Sequence, residues 1–349
     1  MIKYCEGNIL LANAEALVNT VNTVGVMGKG IALQFKKAFP DMEKEYIAAC
    51  KNGSLRIGKL QVWDSGSFFN PRYIINFPTK QHWRYPSKLS YIQAGLTDLI
   101  QIIRQLGITS IAIPPLGCGL GGLDWLQVNQ EIVSALGAME DVEIQIYKPN
   151  GAPTPENIVN KTKEPQLTNN LANFLRIVDN YYSLEYFNPT LIEIQKLSYF
   201  YECAGENLNL QFDKYIYGPY SKRLHHWLNN LEGHYILGLG DGTNVNAFSE
   251  IQLLPDCMKK VNEFLSQNKD DLGLSKQRAD KVIHVIQGFE NPFGMELLAS
   301  VHWVASKENA DTLEKCISLI QNWSPRKREL MKPGYIEIAW NRLKSENWI

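Results

Sequence analysis

A proline-rich segment between Lys148 and Pro165 divides this sequence into two halves. It holds four prolines and one glycine and contains few apolar residues. Because each proline fixes φ and removes a backbone donor, neither a helix nor a central strand is expected to run through it. A length of 349 residues also favours about two domains. We therefore predict a first domain over residues 1–150, a linker over 151–166 and a second domain over 167–349.

The first half alternates short β-branched stretches with helical ones. Such alternation indicates an α/β domain with a mostly parallel, buried sheet. The predicted strands are Ala16–Asn22, Leu60–Asp64, Tyr73–Phe77, Ile108–Ile113 and Val142–Tyr147. The predicted helices are Ile31–Ala38, Met42–Lys51, Ser90–Leu106 and Leu126–Ala138.

Helical periodicity dominates the second half, which predicts a mainly α domain with a small hairpin near Phe212–Tyr217. The predicted helices are Asn170–Tyr182, Thr190–Cys203, Lys222–Leu231, Met258–Gln267, Ser275–Gln287, Pro292–Ala305, Asp311–Asn322 and Ile336–Lys344.

Composition excludes several classes of protein. The chain is 45% apolar, which argues against disorder, and its net charge of −1 argues against electrostatic coating of nucleic acid. The six cysteines form no CxxC pair, so we predict neither a disulfide framework nor a zinc ribbon. We also predict no metal site and no cofactor, since His225 and His226 are adjacent on a predicted helix and point about 100° apart. No apolar run reaches the ~20 residues of a membrane span, and the first residues do not resemble a signal peptide. These observations predict a cytoplasmic protein without a membrane partner.

Two glycine-rich stretches each follow a predicted strand and precede a predicted helix. The first is Asn22–Ala32 and the second is Pro114–Leu123. A strand–loop–helix junction of this kind directs backbone N–H groups at an anion. Neither the Walker spacing nor GxGxxG is present, so the first stretch alone is compatible with phosphate binding or with a tight connection. Two such loops at the carboxyl ends of strands in one sheet could face each other across a crevice, which favours a ligand with two phosphates.

Together with Gly7-Asn8-Ile9, these loops resemble the macrodomains, which bind ADP-ribose. The resemblance implies a three-layer α/β/α fold with a mixed, mostly parallel sheet over residues 1–150. It also implies that Asn8 contacts adenine and that Ile9 is a ligand-binding residue, although the family commonly has aspartate where Asn8 stands. The loop residues that it implies in diphosphate binding are Gly28, Lys29, Gly30, Ile31, Ala32, Pro115, Leu116, Gly117, Cys118, Gly119, Leu120 and Gly121.

Within the macrodomains, the chain is most similar to the antitoxins of the DarG type. The residues that carry this similarity are Asn22, Gly28–Gly30 and Asn76–Lys80. In the helical half, Tyr217–Pro219 resembles part of a domain with which other bacterial antitoxins hold their toxins. The resemblance implies a hydrolase that removes ADP-ribose from thymidine in single-stranded DNA. It further implies that the helical domain binds and neutralises a DarT toxin, the ADP-ribosyltransferase that makes this modification.

The resemblance also implies catalytic roles for Lys80 and Asn22 at the distal ribose of ADP-ribose. Lys80 could attack C1″ as a neutral amine or stabilise the leaving group as a cation, and the sequence leaves both open. Some relatives carry an acid where this chain has Gly121, and the nearest acid is Asp124, which shifts the weight onto Lys80. The alternative for Asn22 is a turn residue.

Three further residues are weighed against plain structural roles. Cys118 stands between two glycines and is favoured as a small turn residue over a nucleophile. Trp83 and Arg84 are candidates for contacts to a nucleotide strand, or simply anchor their loop.

Two alternative functions remain open: a non-catalytic reader of ADP-ribose, and a hydrolase of ADP-ribosylated protein Glu or Asp. The oligomeric state and the toxin interface are left undetermined.

Overall fold

The computed structural model of the chain describes residues 1–185, 187–268 and 273–349, with backbone only for residues 183–185. It divides into two compact units. The first unit comprises Met1–Lys163 and Gly240–Asn244, and the second comprises Glu164–Leu239 and Val245–Ile349. The sequence-based division placed the short segment Gly240–Asn244 in the helical domain, whereas its contacts join it to the first unit.

One sheet forms the centre of the first unit. Its strands are β1 (Ile2–Cys5), β2 (Ala16–Asn22), β3 (Gln61–Asp64), β4 (Tyr73–Lys80), β5 (Ser110–Ile113) and β6 (Glu143–Tyr147). Their order is β1-β6-β5-β2-β4-β3, and only β3 runs antiparallel to its neighbour. The prediction missed β1, because a strand of four residues at the sheet edge, with two of them exposed, carries little apolar signal.

Helices cover both faces of this sheet. They are α1 (Gly30–Ala38), α2 (Pro40–Lys51), α3 (Leu89–Leu106) and α4 (Trp125–Leu136). Alternate residues of β2 enter opposite cores: Leu17 packs with residues of α1 and α2, and Val18 packs with residues of α3 and α4. The predicted three-layer α/β/α architecture with a mixed, mostly parallel sheet is thereby confirmed.

The second unit is mainly helical, as predicted. Its helices are α5 (Asn169–Glu185), α6 (Leu191–Cys203), α7 (Lys222–Leu231), α8 (Cys257–Gln267), α9 (Gly273–Ile286), α10 (Pro292–Lys307), α11 (Leu313–Trp323), α12 (Pro325–Leu330) and α13 (Pro333–Ser345). The predicted hairpin is present as β7 (Asp213–Tyr215) and β8 (Gly218–Tyr220), and a second short pair joins β9 (Ile236–Leu237) to β10 (Gln252–Leu253).

Helix α12 was not predicted, because its six residues include several charges and show no apolar period. Among the residues that the structure describes, every helix is too short or too polar to cross a lipid bilayer.

Candidate active site

The carboxyl ends of three neighbouring strands meet at one edge of the first unit's sheet. Strands β2, β4 and β5 end at Asn22, Lys80 and Ile113, and β5 and β2 lead into the two glycine-rich loops. We call residues 23–29 the first glycine loop and residues 114–124 the second glycine loop. Open α/β sheets bind ligands at such an edge.

A buried amide pair fixes the register of β2 against β4. The Asn19 side chain donates to the Asn76 side-chain oxygen at 2.8 Å, and both residues are fully buried. Because a buried polar pair is costly to break, this bond disfavours any slipped alignment. This register continues to Val21, opposite Pro78, and an irregularity between Val21 and Asn22 then shifts the pairing by one residue, which places Asn22 opposite Lys80. Thus the two predicted catalytic residues lie side by side at the end of the sheet.

Lys80 connects the sheet to the second glycine loop. Its ammonium donates to the carbonyl oxygen of Leu120. Partial burial lowers the pKa of Lys80 below its ordinary value, since the charged form loses hydration. A larger fraction of this amine is therefore neutral at a given pH than for an exposed lysine.

Asn22 shapes the first glycine loop. Its side-chain oxygen accepts from the N–H groups of Val24 at 3.0 Å and Val26 at 3.3 Å, and its amide donates to the Val26 carbonyl at 2.6 Å. The buried Tyr46 hydroxyl donates to the Asn22 carbonyl at 2.7 Å. These bonds agree with a turn role, and the expected contact with ribose stays a prediction. The sequence reasoning missed Tyr46, whose only signal was an apolar position of α2.

The first glycine loop leads directly into α1, whose first turn is Gly30, Ile31 and Ala32. The residue before it, Lys29, is extended and gives no side-chain cap, and no acid stands in the first turn. Helix N-termini of this kind leave N–H groups for an anion. A Cβ atom on Gly30 would lie 3.4 Å from the Leu120 side chain, so the two loops approach each other as predicted.

The second glycine loop is closed by its own backbone. Gly117 and Gly122 have φ of +73° and +76°, which favours glycine at both positions. The Leu123 N–H bonds the Gly117 carbonyl at 3.1 Å, and the Ser87 N–H bonds the Gly121 carbonyl at 2.9 Å. A Cβ atom on Gly121 would overlap the Gly117 carbonyl and the Ser87 hydroxyl. In this loop conformation no acidic side chain fits at position 121, and sequence reasoning did not single out Ser87.

Asp124 and Cys118, the acid and the thiol of the second glycine loop, both have structural roles. Asp124 caps α4 by accepting from the Gln127 N–H at 3.0 Å. Burial, with a smaller contribution from Asp124, raises the pKa of Cys118 to about 11. The thiol is therefore protonated near neutral pH, in line with the expected turn role. The neighbouring Pro115 carbonyl accepts from the Cys118 N–H at 3.1 Å, and Leu116 is buried.

Asn8 and Ile9 follow the carboxyl end of β1, at the same edge of the sheet. Asn8 caps a single 3₁₀ turn, Ile9–Leu11, by accepting from the Leu10 N–H at 3.0 Å. An amide oxygen has a second lone pair, so Asn8 retains acceptor capacity. Ile9 is buried. The adenine contact of Asn8 and the ligand contact of Ile9 stay predictions.

Trp83 and Arg84 lie in the turn that follows β4. The Trp83 ring is 48% exposed, stacks on His82 with ring centres 5.2 Å apart, and lies 4.6 Å from the Arg84 guanidinium carbon. The indole is thus packed against His82 and Arg84 while about half of the residue faces solvent. Such a fixed, exposed aromatic next to Lys80 offers a surface on which a base can stack.

In the second unit, Tyr217–Pro219 covers a buried cluster of charges. The Lys196 ammonium donates to the Pro219 carbonyl at 2.8 Å, and Lys327 pairs with Glu296 at 2.6 Å. Gly218 has φ of +91°, and a Cβ atom there would lie 3.0 Å from the Ser300 hydroxyl, which explains the glycine. Burial lowers the pKa of both lysines. Within the described ranges, no group of three or more His, Cys, Asp or Glu side chains is arranged to hold a metal ion.

A layered α/β unit with two glycine loops converging on one sheet edge defines a macrodomain, and the Macro domain family model matches residues 18–132. The chain is 44% identical over 344 residues to the DNA ADP-ribosyl glycohydrolase of Thermus aquaticus, covering 98% of this chain and 93% of that one. It is equally identical over 352 residues to the enzyme of that name from Mycobacterium tuberculosis, covering 98% and 99%. The chain belongs to the DNA ADP-ribosyl glycohydrolase family and is an enzyme of that class.

Two further comparisons each cover less than half of this chain. The solved macrodomain of Mycobacterium tuberculosis DarG is 59% identical, covers 43% of this chain and 99% of that one, and has a TM-score of 0.43. A protein of Thermosipho africanus described as a DNA ADP-ribosyl transferase–DNA ADP-ribosyl glycohydrolase fusion is 35% identical over 159 residues, or 41% of each chain.

Proposed function

We propose that this protein removes ADP-ribose from thymidine in single-stranded DNA. The observation that carries the proposal is Lys80, a partly desolvated amine that lies opposite Asn22 and bonds the second glycine loop. In this proposal the two loops hold the diphosphate and the region of Asn8 and Ile9 receives adenine. The distal ribose then extends to Asn22 and Lys80. The names of the full-length relatives supply DNA as the modified molecule.

The test compares two substrates. An oligonucleotide carrying ADP-ribose on thymidine and a protein carrying it on Glu or Asp are incubated separately with the full chain, and released ADP-ribose is measured. We expect release from the oligonucleotide at a much higher rate. No release from the oligonucleotide would overturn the activity, and faster release from the protein would overturn DNA as the substrate.

Replacing Trp83 by alanine should raise the KM for the modified oligonucleotide about tenfold and leave the affinity for free ADP-ribose unchanged. The reason is that stacking on an exposed aromatic contributes about 1–3 kcal/mol per base. The matched control is Phe68→Ala, because Phe68 is fully exposed but precedes β4, at the opposite end of that strand. Equal KM values for wild type and Trp83→Ala would remove Trp83 from the DNA contact.

We propose further that the helical unit binds and neutralises a DarT-type ADP-ribosyltransferase. Two observations support this. The full-length relatives match this chain across both units, and the Thermosipho africanus protein joins a transferase and a glycohydrolase in one chain. The Tyr217–Pro219 turn that resembles other antitoxins is built on a buried charge cluster, which gives that surface a defined shape.

Neutralisation is separated from hydrolysis by using a Lys80→Ala variant of the full chain. Mixed with the cognate transferase and an unmodified oligonucleotide, this variant should still suppress the modification at a one-to-one ratio, because Lys80 lies in the other unit. Modification at the uninhibited rate in excess variant would contradict binding, and wild-type chain assayed alongside would show how much hydrolysis contributes.

A further inference from the structure

A short segment far along the sequence completes the first unit. After Lys163 the chain runs into the second unit, yet Gly240–Asn244 packs with the first unit. Within it, Asp241 is only 4% exposed. A buried carboxylate must be hydrogen-bonded to be tolerated, so its partners indicate what the segment does.

The partners of the segment lie along one face of α1. The Gly30 N–H donates to the Asp241 carbonyl at 2.8 Å, the Gln34 side chain donates to the Asp241 carboxylate at 2.8 Å, and Lys37 donates to the Gly240 carbonyl at 3.3 Å. Positions 30, 34 and 37 are four and three residues apart, which places them on the same side of a helix. Gln34 and Lys37 are both buried.

These contacts reach the first glycine loop itself. A Cβ atom on Gly242 would lie 3.4 Å from the Lys29 side chain, and the Thr243 hydroxyl would lie 3.7 Å from one on Gly30. The other carboxylate oxygen of Asp241 accepts from the Thr243 N–H at 3.0 Å, which closes the segment on itself. Asp241 therefore bonds its own turn through Thr243 and α1 through Gly30 and Gln34. Its neighbour Gly242 lies against Lys29, where the first glycine loop ends.

This arrangement matters because α1 lacks a local cap. Its N-cap residue, Lys29, makes no side-chain cap bond. The Asp241 carbonyl takes the Gly30 N–H, and the next N–H groups of the turn are those that a phosphate would meet. The orientation of these groups depends on how the first turn of α1 is held, and Gln34, one turn further on, is held by the Asp241 carboxylate.

We propose that Asp241 is a positioning residue for ligand binding: through Gln34 and Gly30 it holds the first glycine loop and the start of α1 in the conformation that accepts the diphosphate of ADP-ribose. Asp241 acts through these groups and does not touch the substrate. The proposal rests on the proposed function, because it takes ADP-ribose as the ligand of this loop.

The test measures the Kd of ADP-ribose by calorimetry, and KM and kcat on the modified oligonucleotide, for a set of full-length variants. Asp241→Ala should raise Kd and KM about tenfold and change kcat less than about twofold, because Lys80 belongs to β4 and bonds the second glycine loop. Asp241→Asn should stay near wild type, because a rotated Gln34 amide accepts from the new amide. Asp141→Ala, an exposed site in the same unit, is the control and should match wild type.

A double variant at positions 34 and 241 tests whether the affinity for ADP-ribose can be restored. Gln34→Glu places two carboxylates together and should weaken binding as strongly as Asp241→Ala. Asp241→Asn combined with Gln34→Glu restores a donor facing an acceptor and should recover most of the affinity.

Two results would overturn the positioning role. One is an unchanged Kd for Asp241→Ala in a wild-type background that binds ADP-ribose. The other is an equal loss of ADP-ribose affinity in Asp241→Ala, in Gln34→Glu and in the double variant Asp241→Asn with Gln34→Glu. That result would mean that the substitutions destabilise the unit in general. Absence of ADP-ribose binding by the wild type would instead overturn the proposed function.

Discussion

Lys80→Ala should slow the release of ADP-ribose from a modified oligonucleotide by about a thousandfold, while the Kd of free ADP-ribose changes little. Groups that act only on the reacting bond affect kcat far more than binding, and removing one typically costs about 10²–10⁴-fold. Lys80 is placed for this role because it stands opposite Asn22 and reaches the second glycine loop through Leu120. Release within tenfold of the wild-type rate would remove Lys80 from the catalytic machinery.

Two conservative variants separate chemistry from loop support. Lys80→Gln keeps a donor for the Leu120 carbonyl but has neither a charge nor a nucleophilic amine, so it should be as inactive as Lys80→Ala. Lys80→Arg keeps a positive charge that does not dissociate. Substantial activity in Lys80→Arg would favour stabilisation of the leaving group, and inactivity would favour attack at C1″. Lys51→Ala, an exposed lysine on α2, is the control and should behave as wild type.

The direction in which kcat changes with pH distinguishes attack by the neutral Lys80 amine from stabilisation of the leaving group by its ammonium. Burial lowers the pKa of Lys80, so its neutral form is reached at a lower pH than for a free lysine. If the neutral amine attacks, kcat rises with pH and levels off above this lowered pKa. If the ammonium is the active form, kcat instead falls as the pH rises through the same value. The profile is measured from neutral pH upward in the wild type, with folding checked at each pH.

The attack also predicts a covalent intermediate. The Nζ lone pair forms a bond to C1″ as the bond from C1″ to the base breaks, and the base leaves with a proton. Opening of the sugar gives a Schiff base, which water hydrolyses to free ADP-ribose and the lysine. Borohydride added during turnover should therefore trap ADP-ribose on Lys80, detectable by peptide mass spectrometry. No trapped adduct in an active sample would favour the electrostatic role.

Gly121→Ala should weaken ADP-ribose binding about a hundredfold and lower the unfolding temperature. The added methyl group would overlap the Gly117 carbonyl and the Ser87 hydroxyl, so the backbone must move. That movement breaks the bond from the Ser87 N–H to the Gly121 carbonyl and displaces Leu120, whose carbonyl holds Lys80. Overpacking of this kind costs about 1–3 kcal/mol in stability. Binding is measured by calorimetry and stability by thermal unfolding without ligand.

Gly119→Ala is the matched control, two residues away in the same loop. A Cβ atom on Gly119 meets no atom of the described residues within 4 Å, so the ligand-free unfolding temperature should equal that of wild type. If Gly121→Ala unfolds and binds as wild type does, the loop conformation is not the reason for glycine there. An acidic residue would then fit at position 121.

The secondary structure followed closely from sequence where elements are long. Helix α7 was predicted to the residue as Lys222–Leu231, and β2 as Ala16–Asn22. The misses are β1, α12 and the pair of β9 and β10, which have two to six residues each and carry too few apolar positions for a periodic signal. Strand β4 extends to Lys80 beyond its predicted end, because pairing with β2 continues through Pro78.

The sequence motifs also identified the candidate site residues, but they did not predict the hydrogen bonds that the side chains form. Asn22 was expected at the ribose, and its amide proves to hold the first glycine loop. From the sequence, the absence of an acid at Gly121 was interpreted as placing the catalytic role on Lys80. The structure gives a second reason, because no side chain fits at position 121 in this loop conformation. The hydrogen-bond partners of a side chain and the free volume around it depend on groups from several elements. A local sequence motif therefore predicts neither of them.

The sequence by itself determined the two-part organisation, the alternation that builds the sheet and the glycines that shape both loops, because these depend on residues close together in the chain. The tertiary structure alone placed Asn22 beside Lys80, joined Lys196 to Pro219 and Lys327 to Glu296 in a buried cluster, and brought Asp241 to α1. Asp241 and Gln34 are 207 residues apart, and their contact exists only because burial in a folded unit makes each polar group require a partner.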